Sequence, residues 1–376
     1  MPRVRLLALA LCLWPVLACQ PAAAPGAGAA APVAGAPAAA APTSGPTVVA
    51  PSAASGAAPA GAPAAGQASA TPAPVALRFG LNTTTAEVTP AWVAKDMGIF
   101  TRYGLDVELA TLSADLIVPA LIAGELAASH LGSTPLVNSV LGGSDLVYIS
   151  SYGNYLRFWL YARPDVASLQ DLRGKQVAIT SRGGIIKTAT ELTLQRAGMD
   201  PDRDVTLIAT GNLTNSVTSL VSGGVAAAML GPPATFRAED EGMHLLLNTA
   251  DYKLPMMMSG VATTHHWVAA NESAARRLIQ AIAEGVAFAH KEKERTKAII
   301  AQHIQADDPA LLERTYDALL PGWEIDQHAL PDAVRYDVEA AAKENPAARN
   351  LRPEQLVDNH LVDELDRAGF FRQVFQ

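Results

Sequence analysis

Residues 75–109 read VALRFGLNTTTAEVTPAWVAKDMGIFTRYGLDVEL. The first seven positions alternate as a strand does. Residues 90–100 read as a helix, with Pro90 in its first turn and Gly98 near its end. Residues 105–109 alternate again. Strand, helix and strand in so short a stretch predict a parallel unit of an α/β sheet.

The alternation continues along the chain. Helices are expected at 116–123 and 135–141, and strands at 126–131 and 145–150. A second series has strands at 176–180, 205–209, 225–230 and 245–247. Helices at 185–197, 215–221 and 233–241 fall between them. Two apolar runs, FWLYA at 158–162 and MMMSGV at 256–261, are expected to be the crossings between two lobes. From Asn271 onward the reading is helical, with apolar residues at 278, 279, 282, 286 and 289. The expected organisation is a first lobe of 75–160 and 262–376 and a second lobe of 161–261, each a mainly parallel sheet flanked by helices.

The N-terminal part is of another kind. Arg3 and Arg5 precede a 13-residue apolar run, 6–18, which is too short to span a bilayer. A positive start, a short apolar core and small residues at its end describe a secretory signal over 1–18. The run closes on Val16-Leu17-Ala18-Cys19, which resembles a bacterial lipobox with Cys19 as the lipidated residue. Residues 20–74 hold 25 Ala, 11 Pro and 7 Gly and no charge. That composition cannot build a core, so 19–74 reads as a lipid anchor followed by a disordered tether.

Charge and cysteine usage exclude several function classes. Beyond residue 74 the net charge is 26 − 36 = −10, because all but two of the 28 basic residues and all 36 acids lie there. No nucleic-acid footprint is consistent with that balance. The two cysteines, Cys12 and Cys19, both precede the folded part. Disulfides, thiolate catalysis and Cys-ligated metals are therefore excluded from it. The pair His265-His266 is read as adjacent residues on a strand, facing opposite ways, so no metal is expected there. No Gly-x-Ser-x-Gly elbow is present. The chain is expected to have no catalytic residues and no cofactor.

Ligands of open parallel sheets bind beyond the carboxyl ends of the strands. The loops there are rich in small polar residues and precede helices, whose free N–H groups suit an anion. Helix capping accounts for any one of them; convergence on one cleft accounts for the set.

Residues 90–109 look like the first helix-to-strand segment of the periplasmic solute-binding proteins of the NMT1-like, SsuA/THI5-like family, whose members take nitrate, sulfonates, taurine and thiamine precursors. Residues 120–126 (ALIAGEL), 169–179 (LQDLRGKQVAI), 204–208 (DVTLI), 231–233 (GPP), 355–359 (QLVDN) and 365–370 resemble further segments in order. The resemblance implies a two-lobed type II periplasmic-binding-protein fold, a Venus flytrap, serving an ABC importer. Its partners would be a small solute, the permease with its ATPase subunit, and the membrane through Cys19. It would act as a monomer outside the cytoplasm. Ligand contacts are placed on Asn82 and Thr84, Ser133 and Thr134, and Ser181, Gly183 and Gly184, with Tyr152, Arg182, Asn212 and Trp92 as further candidates. Arg182 would pair with an anionic head group such as a sulfonate or nitrate. A pyrimidine or other heterocycle would instead need aromatic walls such as Tyr152, Trp159 or Trp267. A surface sensor would share the same cleft. The pyrimidine synthases that resemble this family carry a cysteine-rich motif that this chain lacks.

Overall fold

The structure, a computed structural model, describes residues 74–83, 85–182 and 184–376. The signal, Cys19 and the tether lie outside the described residues, as do Thr84 and Gly183.

The first series runs β1 (Val75–Leu81), α1 (Thr89–Asp96), α2 (Ile99–Arg102), β2 (Leu105–Thr111), α3 (Ala114–Ile122), β3 (Ala128–Leu131), α4 (Ser133–Leu141) and β4 (Leu146–Ser151). Gly98, at φ 64°, splits the expected single helix of 90–100 into α1 and α2. The second series runs β5 (Trp159–Ala162), β6 (Gln176–Ile179), α5 (Ile185–Arg196), β7 (Thr206–Ala209), α6 (Leu213–Val221), β8 (Ala227–Leu230), α7 (Ala234–Asp240) and β9 (His244–Asn248). The chain then returns through β10 (Gly260–Thr264) to α8 (His265–Lys291), α9 (Lys293–Ile304), α10 (Pro309–Leu319), α11 (Asp332–Glu344), α12 (His360–Arg367) and α13 (Phe370–Phe375).

Two five-stranded sheets result, ordered β2-β1-β3-β10-β4 and β7-β6-β8-β5-β9. In each, four strands run parallel and one, β10 or β5, runs against them. Helices cover both faces of each sheet, which is why strands such as β3, β4 and β8 are buried along their whole length. Phe79, Trp92, Phe100, Ile279 and Ile282 fill one face of the first sheet; Ile117, Leu131, Leu136 and Val334 fill the other. Val177, Leu194 and Met229 lie on one side of the second sheet and Tyr161, Val217 and Leu220 on its opposite side. Helix α8 crosses α1 closely at Gly285, where an added Cβ would stand 2.3 Å from the Pro90 carbonyl oxygen.

The crossings differ from expectation. WLYA, 159–162, forms β5, an interior strand of the second sheet, and 260–264 forms β10, an interior strand of the first. Divisions at 160/161 and 261/262 would cut through these strands. These short apolar runs have a strand on each side, and pairing with both satisfies their backbone groups in the buried interior. The crossings are the shorter segments before them. Leu156 N donates to Leu254 O at 2.9 Å, Met256 N to Asn154 O at 2.8 Å and Met258 N to Gly153 O at 2.8 Å. Met256 and Met258 turn into the second core and Met257 into the first. The chain after α10 wraps this ribbon: Glu324 N reaches Tyr152 O (2.8 Å) and Met257 N reaches Ala333 O (2.8 Å). At the start of α8, His265 and His266 lie on a helix rather than a strand, capped by Thr264, whose hydroxyl accepts from Trp267 N at 3.0 Å. Asn271, the expected helix start, is instead a kink within α8 (φ −135°, ψ 33°).

Candidate functional site

A cleft of about 1700 Å³ opens between the two sheets. It is lined by the loops after β1, β3, β6, β7 and β8, the crossing segments, and one side of α10. The strand ends thus deliver their loops to one place, as the parallel topology requires.

The structure brings most of the expected residues to this cleft. Asn82, Ser133, Thr134, Ser181, Gly184 and Asn212 all line it. Their side chains differ in what they have left to offer. Ser133 Oγ and Thr134 Oγ1 both donate to the Asp337 carboxylate, the latter at 2.8 Å. Asp337 is buried, and burial raises its pKa above the usual carboxylate range. These hydroxyls are spent on the scaffold, but they leave the first N–H groups of α4 facing the cleft. Among the described residues no side chain caps α4 at Gly132 or α5 at Gly184, so a helix start from each lobe opens there. Asn212, by contrast, accepts from Asn215 N at 2.8 Å and caps α6.

Three candidates lie elsewhere. Arg182 is exposed and is not among the lining residues. Tyr152 is fully buried behind the cleft wall. Trp92 stacks flat on His303, with centroids 4.4 Å apart, inside the first core. Of the proposed aromatic walls, Trp159 lines the cleft and Trp267 does not; Phe158, Tyr155 and Trp323 join it.

Residues not anticipated from sequence supply the charge. Arg157, half-buried, donates Nη2 to Ala318 O at 3.3 Å, and burial lowers its pKa. Arg237 also lines the cleft. Glu87 also lines the cleft, half-buried, with its carboxyl largely withdrawn from water. That desolvation pushes its pKa to about 7, against the hydrogen bond it accepts from Ser259 Oγ at 3.1 Å. His130, at the end of β3, is 2% exposed, and burial pushes its pKa down to about 4. Its Nδ1 lies 2.7 Å from Asn82 Oδ1. The only sequence signal for either was a lone titratable residue among small and apolar neighbours. Among the described residues, no group of three or more His, Cys, Asp or Glu could hold a metal ion.

The family model of the NMT1-like family matches residues 70–305. The chain belongs to the NMT1-like family. A binding protein of Brucella abortus is similar, 28% identical over 219 residues that cover 57% of this chain and 67% of the relative. The binding protein YtlA of Bacillus subtilis is 24% identical over 246 residues, 62% of this chain and 73% of its own. Among solved structures, the periplasmic aliphatic sulphonate-binding protein SsuA of Escherichia coli superposes with a TM-score of 0.62 at 18% identity, covering 76% of this chain and 99% of that one. The periplasmic nitrate-binding protein NrtA of Synechocystis PCC 6803 superposes with a TM-score of 0.58 at 14% identity, covering 78% and 89%. The fold is thus the two-lobed periplasmic-binding-protein type II fold, with two mixed sheets flanked by helices.

Proposed function

We propose that this NMT1-like protein is the extracytoplasmic substrate-binding component of an ABC-type importer. It captures a small solute between its lobes and delivers it to the permease. The observation that carries the reading is the cleft itself, into which an uncapped helix start opens from each lobe. Two lobes joined by a thin crossing ribbon close on a ligand by a hinge motion. Helix starts and Arg157 favour an anionic group on the solute, of the nitrate or sulfonate kind. Arg157 takes the role first given to Arg182. The aromatic lining, Trp159 and Phe158, supports a heterocycle as the second reading. Relatives named as binding proteins support a carrier rather than an enzyme.

A thermal-shift panel tests the proposal. The protein is unfolded and refolded to strip carried solute, then mixed with nitrate, alkanesulfonates, taurine, aromatic carboxylates and thiamine-related pyrimidines. A ligand at 100 times its Kd adds about 2.7 kcal/mol, so a hit raises Tm plainly. A panel in which no solute moves Tm would count against capture in this cleft. Membrane attachment through Cys19 completes the proposal: Cys19→Ala is expected to move the protein from the membrane to the soluble fraction, and retention would remove the anchor from the account.

A further inference from the structure

His130, on the cleft lining, carries a polar atom whose chemistry is defined. Asn82 Oδ1 can only accept a hydrogen bond, so His130 Nδ1, 2.7 Å away, carries the ring proton. The ring is neutral, because burial holds it far from protonation. Nε2 is therefore a bare lone pair. It is buried and, among the described residues, has no hydrogen-bond partner. The Tyr152 ring lies with its centroid 5.9 Å from that of His130, and among the described residues its hydroxyl is also buried without a partner. A buried acceptor without a donor is costly, and His130 stands on the lining of the cleft, where a solute can supply the donor.

We propose that His130 Nε2 is a specificity site that accepts a hydrogen bond from an uncharged N–H or O–H group of the solute. The inference rests on the solute-binding reading above and narrows it. A hydrogen-free oxyanion placed at His130 would set lone pair against lone pair. Any anionic group then belongs at the helix starts, and the portion of the solute at His130 is a donor: a hydroxyl, an amide, an amino group on a ring or a ring N–H. Asn82 acts as a positioning residue, since it fixes the tautomer.

The test uses the full chain with 15N-labelled histidine and two pairs of probes, each differing by one donor: ethanesulfonate with 2-hydroxyethanesulfonate, and pyrimidine with 4-aminopyrimidine. Before any probe is added, His130 Nε2 should resonate as an unprotonated, pyridine-type nitrogen. A protonated Nε2 overturns the inference whatever binds. With probes, the donor-bearing member should bind at least tenfold more tightly by calorimetry and move the Nε2 resonance. His130→Phe should erase that preference, and His130→Gln, which keeps an acceptor, should retain part of it. Should a variant fail to fold, the resonance in the unmodified chain still decides. Equal binding of a donor-free member with Nε2 unmoved overturns the inference and leaves solute capture standing. Binding by no probe here, together with a thermal-shift panel without a hit, overturns both.

Discussion

Arg314 on α10 of the first lobe forms an ion pair with Glu239 on α7 of the second. The same guanidinium reaches Asp240 at 3.4 Å and lies 4.3 Å from the centroid of the Phe236 ring. Glu239 also accepts from the Tyr161 hydroxyl, which ties it to β5. The contact joins the lobes through side chains, away from the crossing ribbon, and so acts on closure.

Removing the latch should shorten solute retention. The pair is partly exposed, so its worth is modest, about 1 kcal/mol with the ring contact included. Arg314→Ala is expected to raise the dissociation rate of a bound solute about fivefold, by stopped flow, with little change in Tm of the free protein. High salt should narrow the difference between the two proteins. A variant that releases solute at the original rate would deny Arg314 a part in closure.

A second expectation concerns pH. Glu87 titrates higher in the folded chain (about 7) than its ordinary 4.5, so the folded state holds that proton more tightly. Its contribution to stability is present below about 4.5 and is lost as pH rises to about 7. His130 titrates lower (about 4) than its ordinary 6.5, so its contribution is present above about 6.5 and lost as pH falls toward 4. Between about 4.5 and 6.5 the two slopes oppose each other. Glu87→Gln should therefore unmask a stability that climbs with pH across this window, read from denaturant midpoints. A pH profile unchanged by the substitution would contradict the assignment.

The crossing ribbon gives a third. Asn154 is buried; its Nδ2 donates to Glu324 Oε2 (2.8 Å) and to His328 O (3.0 Å), and its Oδ1 accepts from Leu330 N (3.0 Å). Asn154→Ala leaves those three groups without their partner, including a carboxylate whose pKa burial already raises. The expected loss is roughly 2–4 kcal/mol in urea unfolding at constant m. A loss within about 0.5 kcal/mol would mean that water replaces the side chain.

Much of the scaffold was legible in local pattern. Residues 75–81 and 105–109 alternate because one sheet buries them, and that period is visible without any partner. Where 158–162 and 260–264 go was not legible: a short apolar run looks alike as a crossing and as an interior strand. The loops of the cleft could be located through the rule for strand ends, which placed Asn82, Ser133, Thr134, Ser181, Gly184 and Asn212 on its lining. Which groups remain available there depends on distant residues. Nothing near Ser133 announces that Asp337, on a helix two hundred positions later, takes its hydroxyl. Nor does the neighbourhood of His130 in sequence show that Asn82 takes one ring nitrogen and leaves the other bare. Arg182 sits in a loop adjacent to the cleft, but its side chain is not on the lining; Arg157, beside an apolar run, is.

The reversed strand in each sheet has a consequence for how the protein is made. The second sheet is built from residues 159–248 alone, a contiguous stretch. The first is interrupted: β4 joins its neighbours only through β10, which follows the whole second lobe in the chain. As the polypeptide emerges from the ribosome, β1, β2 and β3 can pair, but β4 has no edge to join until Thr264 is out. The lobe that begins first is completed last, and the α8 helix that covers it comes later still. During that interval the apolar faces of β3 and β4 stand open, and the chain must be held unfolded or shielded until both halves of the first lobe are in hand.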